Sequence, residues 1–250
     1  MPESLDVILL RSADDPDPYR ATFSQAGLRA ACEPVLSFVF PNQDALRKRL
    51  RRRKQYAGIV ATSPRVAEAL DRAFSAEAEL AEAWRGAPAY AVGPKTAGRL
   101  REVDLQPRGE EAGTAEALAQ RIVDNGPAAP LLFLCGNRRR DTLPDQLVEA
   151  GVPFEEQMVY ETRTRSTLDL PSPAGETWLV FFSPSGLEAV QQAASVDPSA
   201  YRVAAIGPTT AGALEDAGLV VDAVAAAPAP DELVAAITAA REQGEASDER

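Results

Sequence analysis

Apolar residues in this chain gather into short, nearly unbroken runs, separated by segments where they recur every three or four positions. The runs lie at 6–11, 31–40, 57–62, 88–92, 131–135, 154–162, 177–182, 202–206 and 219–225. Each is bounded by Gly, Pro or Ser, as expected of parallel strands buried on both faces. The segments between them predict helices at about 18–27, 42–54, 64–74, 94–103, 114–124, 142–150, 184–193, 208–217 and 230–242. Pro64, Pro94, Pro184 and Pro208 stand where a first helical turn tolerates a missing N–H, and Gly27, Gly151 and Gly218 where a helix ends. Alternating strands and helices predict an α/β fold, its parallel sheets covered on both faces. Cys32–Phe40 and Phe154–Arg163 stand apart as extended stretches suited to linking two lobes, and the polar end, 243–250, reads as frayed.

The pattern also repeats. Val7–Ser12 (VILLRS) recurs as Leu131–Gly136 (LLFLCG), each followed by a helical segment that ends at Gly27 or Gly151. Ile59–Leu70 (IVATSPRVAEAL) matches Leu179–Val190 (LVFFSPSGLEAV), Val92–Gly98 (VGPKTAG) matches Ile206–Gly212 (IGPTTAG), and Leu118 and Ile122 match Leu233 and Ile237. The offset drifts only from 124 to 114 residues, as expected if surface loops changed length while the elements stayed.

Composition narrows the chemistry. With 250 residues, 45% hydrophobic and 25% charged, the chain can build a core without metal or disulfide staples. There is no histidine, which removes Ser-His and Cys-His nucleophile pairs, HExxH zinc sites and imidazole acid–base catalysis. Only Cys32 and Cys135 are present, too few for a structural zinc site and in keeping with a reducing compartment. No apolar run is long enough to span a membrane, and the N-terminus lacks the basic start and apolar stretch of a signal peptide, so a soluble cytoplasmic protein is expected. A formal charge of −11 disfavours broad nucleic-acid binding.

Four strand ends share one design: a strand, then Ser or Gly, then Pro, then a helix carrying small hydroxyl residues. These are Thr62-Ser63-Pro64, Gly93-Pro94-Lys95-Thr96, Ser183-Pro184-Ser185-Gly186 and Gly207-Pro208-Thr209-Thr210. Helix N-termini at strand ends offer free amides and a positive dipole end, so such turns welcome anions. Ser and Thr there also serve as plain N-caps. GxGxxG and GxxxxGK[ST] are absent, which argues against a nucleotide site. Arg138-Arg139-Arg140-Asp141, after the strand at 131–135, suits either anion binding by guanidinium forks or a solvated helix start. The run Arg47–Lys54 (RKRLRRRK) holds seven basic residues on what reads as the polar face of an amphipathic helix; steering an acidic substrate is the alternative. Tyr160 lies in the second extended stretch, where tyrosine ordinarily packs, yet without histidine a phenol is one of few neutral proton donors.

In order and spacing, these motifs resemble the uroporphyrinogen-III synthase family over roughly residues 5–240. The resemblance rests on Thr62-Ser63-Pro64-Arg65, Val92-Gly93-Pro94-Lys95-Thr96-Ala97, Cys135-Gly136-Asn137 through Leu143-Pro144, Val159-Tyr160-Glu161-Thr162, Phe181-Phe182-Ser183-Pro184-Ser185-Gly186 and Ile206-Gly207-Pro208-Thr209-Thr210-Ala211. It implies two similar, doubly wound parallel-sheet α/β lobes joined by a two-stranded β linker, with the active site in the cleft between them. One lobe would combine 1–35 with 168–250, the other would be 42–153, and 36–41 with 154–167 would form the linker.

The implied reaction is cofactor-free cyclisation of hydroxymethylbilane, a linear tetrapyrrole polycarboxylate. The terminal hydroxyl leaves, the ring closes, and the last pyrrole inverts through a spirocyclic intermediate. Tyr160 matches the family tyrosine held to help the hydroxyl leave. Ser63, Thr96, Ser183, Ser185, Thr209 and Thr210 match cleft positions expected to bind carboxylates, with Arg65, Lys95, Asn137 and Arg138 as further candidates. Lys95 falls where the family varies, and the run Arg47–Lys54 is outside its pattern. A monomer without metal, nucleic-acid or membrane partners is implied. Two other readings stay open: a non-catalytic anion- or tetrapyrrole-sensing module of the same fold, and a regulatory protein built around the basic run.

Overall fold

The computed structural model describes residues 5–173, 176–194 and 196–248. Its strands are β1 (Val7–Leu10), β2 (Ala30–Cys32), β3 (Leu36–Val39), β4 (Gly58–Ala61), β5 (Pro88–Ala91), β6 (Gln106–Arg108), β7 (Leu131–Gly136), β8 (Phe154–Thr164), β9 (Trp178–Phe181), β10 (Arg202–Ala205) and β11 (Ala223–Val224). The helices are α1 (Pro18–Gln25), α2 (Gln43–Leu50), α3 (Pro64–Ala76), α4 (Ala78–Trp84), α5 (Pro94–Arg101), α6 (Ala115–Asn125), α7 (Thr142–Glu149), α8 (Pro184–Gln192), α9 (Pro208–Asp216) and α10 (Pro230–Asp248).

The expected run at 31–40 divides into β2 and β3 around Pro34, which has no N–H to give a ladder. That at 219–225 contracts to β11, and the short helix α4 and the polar strand β6 had no counterpart in the pattern. At the C-terminus, α10 continues through the polar stretch to Asp248 where fraying was expected; Glu249 and Arg250 lie outside the described residues.

The chain divides into two compact units, Met1–Ser37 with Arg163–Arg250, and Phe38–Thr162. The five-stranded sheet runs β11-β10-β9-β1-β2 and the six-stranded sheet β3-β8-β7-β4-β5-β6. The pairs β1·β2, β1·β9, β9·β10 and β10·β11 are parallel, as are β4·β5, β4·β7, β5·β6 and β7·β8. The sequence repeat explains the correspondence: β1, β2, β9, β10 and β11 occupy in one sheet the places that β7, β8, β4, β5 and β6 occupy in the other. Each repeat therefore contributes strands to both sheets.

Helices cover both faces of each sheet, as parallel strands require. On the six-stranded sheet, Leu46, Leu70, Trp84, Ala97 and Leu100 pack with Ile59, Leu132 and Leu134 on one face; Leu118, Ile122, Leu143 and Leu147 pack with Val60, Leu131 and Phe133 on the other. On the five-stranded sheet, α8 and α9 bury Ala189, Val190 and Leu214 against Ile8, Leu179 and Phe181. On its opposite face, Phe23, Leu233 and Ile237 pack on Val7, Leu9 and Trp178.

Leu134 is fully buried in the middle of this arrangement, whereas Val148 is 68% exposed. Leu134→Ala is expected to cost about 2–5 kcal/mol in urea unfolding, and Val148→Ala to stay within about 0.5 kcal/mol. Equal costs would contradict the burial described.

Candidate active site

In doubly wound sheets, ligands bind beyond the carboxyl ends of the strands, where successive crossovers diverge to opposite faces. In the six-stranded sheet this point lies between β4 and β7. Ala61 is level with Leu134 of β7 and Ala91 of β5, so Ser63, Gly136 and Gly93 each follow two residues further on, along one edge. Ser63 is extended, and its Oγ accepts from the Arg65 amide at 3.3 Å, capping α3. Gly93 enters α5 at φ 78°, a backbone conformation that favours glycine. The Arg65 guanidinium lies 3.9 Å from the centre of the Phe38 ring and pairs with Glu68 at 3.2 Å. Lys95 is exposed on the first turn of α5, but Thr96 is only 4% exposed.

Tyr160 reaches this edge through an irregularity in β8. Cys135 pairs with Met158 and Gly136 with Tyr160, so Val159 is an extra residue, a β-bulge. Before it, Phe154 and Met158 join the core on the α6–α7 face; after it, Tyr160 packs with Val159 on the α3–α5 face. The bulge thus turns the tyrosine to the side where Ser63 and Gly93 start their helices. The hydroxyls of Tyr19, Tyr56 and Tyr201 are committed to Pro228, Glu155 and Pro171, at 3.2, 2.7 and 2.9 Å. That of Tyr160 bonds to no described residue.

Asn137 follows Gly136, and both ends of its amide are engaged: Oδ1 accepts from the Thr162 N–H at 2.8 Å and Nδ2 donates to the Thr162 carbonyl at 3.3 Å. Arg138 is exposed. Arg139 donates to Glu156 at 2.7 Å and pairs with Asp141. Cys135, buried and close to Glu156, has its thiol pushed up to about 12, and burial beside Asp17 lifts Cys32 to about 11. Neither supplies a thiolate nucleophile near neutrality.

In the five-stranded sheet the corresponding point lies between β1 and β9. Leu10 is level with Phe181, and Phe181 with Ala205, so Arg11, Ser183 and Gly207 follow along its carboxyl edge. Unlike Ser63, Ser183 makes no cap bond; its Oγ lies 2.7 Å from that of Ser185. Thr209 is exposed and Thr210 only 5% exposed, which repeats the arrangement of Lys95 and Thr96.

Sequence reasoning passed over Arg11. Its guanidinium pairs with Asp14 at 2.7 Å and Asp17 at 2.8 Å and lies 5.0 and 5.4 Å from the rings of Tyr19 and Phe182. Asp17 also caps α1 through the Arg20 amide at 3.0 Å and accepts from the Asp14 amide at 2.9 Å. Its position just before Pro18 was the available signal. Burial pushes Asp17 upward, but the Arg20 and Asp14 amides and the Arg11 guanidinium outweigh it, leaving the carboxyl below its ordinary value of 3.8.

The basic run 47–54 is largely absorbed by local structure. Arg47 and Arg51 reach Glu77 at 3.1 and 2.6 Å, Arg52 reaches Glu155 at 3.1 Å, and Arg49 pairs with Glu155 as well. Arg53 donates to the Tyr56 carbonyl at 2.7 Å and lies 4.7 Å from the Trp84 ring centre. These contacts fit the polar face of an amphipathic helix and the turn that follows it.

The family model described as uroporphyrinogen-III synthase HemD matches residues 17–235. The chain belongs to the uroporphyrinogen-III synthase family. It is 31% identical over 249 residues to the uroporphyrinogen-III synthase of Schizosaccharomyces pombe, with 94% of this chain and 97% of that one covered. To the Saccharomyces cerevisiae uroporphyrinogen-III synthase it is 32% identical over 205 residues, covering 72% and 74%. Its fold is similar to the crystal structure of uroporphyrinogen-III synthetase from Helicobacter pylori (TM-score 0.57, 17% identity, 95% of this chain and 99% of that one). It is also similar to a mutant uroporphyrinogen III synthase from Thermus thermophilus (TM-score 0.50, 17% identity, 95% and 99%). Among the described residues of this uroporphyrinogen-III synthase family member, no three His, Cys, Asp or Glu side chains converge as a metal site would require, and no helix is long and apolar enough to cross a membrane.

Because folding lowers the pKa of Asp17, its ionisation stabilises the fold above 3.8 and that contribution is lost as acid passes 3.8 and then the lower folded value. Asp17→Asn is expected to cost about 1.5–3 kcal/mol at neutral pH, read by urea unfolding, with the gap closing in acid. A gap independent of pH would refute the assignment.

Proposed function

We propose that this chain cyclises hydroxymethylbilane to uroporphyrinogen III, inverting the terminal pyrrole ring with loss of water. The observation that carries this reading is an uncommitted Tyr160 hydroxyl on the same sheet edge as the helix starts at Ser63 and Gly93, in a chain matched to the family from 17 to 235.

The substrate supplies most of the driving force itself. An electron-rich pyrrole pushes out the terminal hydroxyl, and the Tyr160 phenol donates the hydrogen bond and proton that let it leave as water. The resulting cationic carbon is attacked by the far pyrrole at its substituted position. The spirocyclic intermediate then reopens and closes with the ring inverted, and the proton lost at rearomatisation balances the one given by the tyrosine. No metal or organic cofactor enters this scheme.

The protein's remaining work is to hold one fold of a flexible polyanion, and positioning of this kind contributes about 7–11 kcal/mol when geometry is well held. Ser63, Arg65, Lys95, Arg138, Ser183, Ser185 and Thr209 serve as ligands for its carboxylates, with the first amides of α3, α5, α8 and α9. Thr96 and Thr210, nearly enclosed, support the first turns of α5 and α9, and Asn137 supports β8. The protein acts as a cytoplasmic monomer on a small molecule, with no nucleic-acid or membrane partner.

An assay that feeds hydroxymethylbilane and resolves type I from type III rings tests this directly. The expected product is type III, and tight binding without turnover would instead support a sensing module. Tyr160→Phe is expected to lower kcat by about a hundredfold, the low end of what a positioned proton donor contributes, with KM little changed. Turnover at the parental rate would remove the leaving-group role.

A further inference from the structure

Gly136 sits where any side chain would meet the ring of Tyr160. A Cβ built on it would lie 2.3 Å from Cζ, 2.5 Å from Cε2 and 2.7 Å from the hydroxyl oxygen of Tyr160. The tyrosine ring therefore rests on the bare Cα at the end of β7. Gly136 is outside the left-handed region, so its backbone does not demand glycine; the ring does. One residue on, β7 has ended, and the Asn137 amide takes over the pairing of β8. It satisfies both the N–H and the carbonyl of Thr162, as a neighbouring strand would. The bulge at Val159, the bare Gly136 and the Asn137 clamp thus fix the tyrosine from before, beneath and after.

Resting on the role given above to Tyr160, we propose that Gly136 and Asn137 are positioning residues that set where the phenol hydroxyl stands during departure of the leaving group. Alanine at 136 is compatible with the backbone, and the nearest atoms are the far end of one side chain, so the ring is the part that must move. Asn137→Ala removes the clamp without adding bulk.

The test is a cycle of the parent, Gly136→Ala, Tyr160→Phe and the double variant, with Asn137→Ala alongside. Product isomers and kcat and KM for hydroxymethylbilane are measured, and fold is checked by urea midpoint. Gly136→Ala is expected to lower kcat by a factor close to that of Tyr160→Phe, with KM within about twofold. The double variant should be no slower than Tyr160→Phe alone, since a displaced ring without its hydroxyl has nothing left to lose. With 13C-labelled tyrosine, the ring signal missing from Tyr160→Phe should be the one that moves in Gly136→Ala and in Asn137→Ala.

Losses that multiply in the double variant, or that ring signal unmoved, would overturn the proposal. Tyr160→Phe impaired beside an unimpaired Gly136→Ala would reject the positioning role alone. Parental turnover by Tyr160→Phe would reject the reading on which it rests.

Discussion

A parallel strand has to be followed by a helix that carries the chain back, so its carboxyl end and the next helix's N-terminus meet on one edge of the sheet. The proposed ligand-binding turns all lie there. Ser63, Gly93, Ser183 and Gly207 each close a buried strand and open a helix whose first residue is proline. The amides of these first turns have no partner within the helix, and the aligned peptide dipoles leave that end partly positive. In a chain of net charge −11 with no histidine, such ends offer positive potential without a field of cations.

Duplication supplied this edge twice, but the copies do not map one to one onto the compact units. The β1–α1–β2 segment corresponds in sequence to β7–α7–β8, yet the first joins β9, β10 and β11 while the second joins β4, β5 and β6. The sheets keep the same spatial order of equivalent strands. The equivalent helix starts have since diverged: Ser63 caps its own helix, whereas Ser183 faces Ser185.

Much of the fold was legible because continuous apolar runs and prolines at first turns are local signals. Strands β4, β5, β7, β9 and β10 fall within a residue or two of their expected limits. What escaped depends on tertiary pairing. β6, Gln-Pro-Arg, carries no apolar run and exists only because β5 offers it an edge. The bulge at Val159 is a property of register between β7 and β8, and nothing in Met158-Val159-Tyr160 announces it. The burial of Thr96 and Thr210, by contrast, was readable: each stands one helical turn before a fully buried leucine, Leu100 or Leu214, and so shares its inward face. The Asn137 clamp was as hidden as the bulge, because the sequence could not show that Thr162 would engage both ends of its amide.

Under the proposed function, anion recognition belongs to the carboxyl edges of both sheets. Backbone amide chemical shifts followed while uroporphyrinogen III, the proposed product, is titrated in would test it most directly. The largest changes are expected on Arg65, Lys95, Ser185 and Thr209, in the first turns of α3, α5, α8 and α9. Changes confined to one unit, or centred on the amino ends of the strands near Gly58 and Trp178, would contradict it.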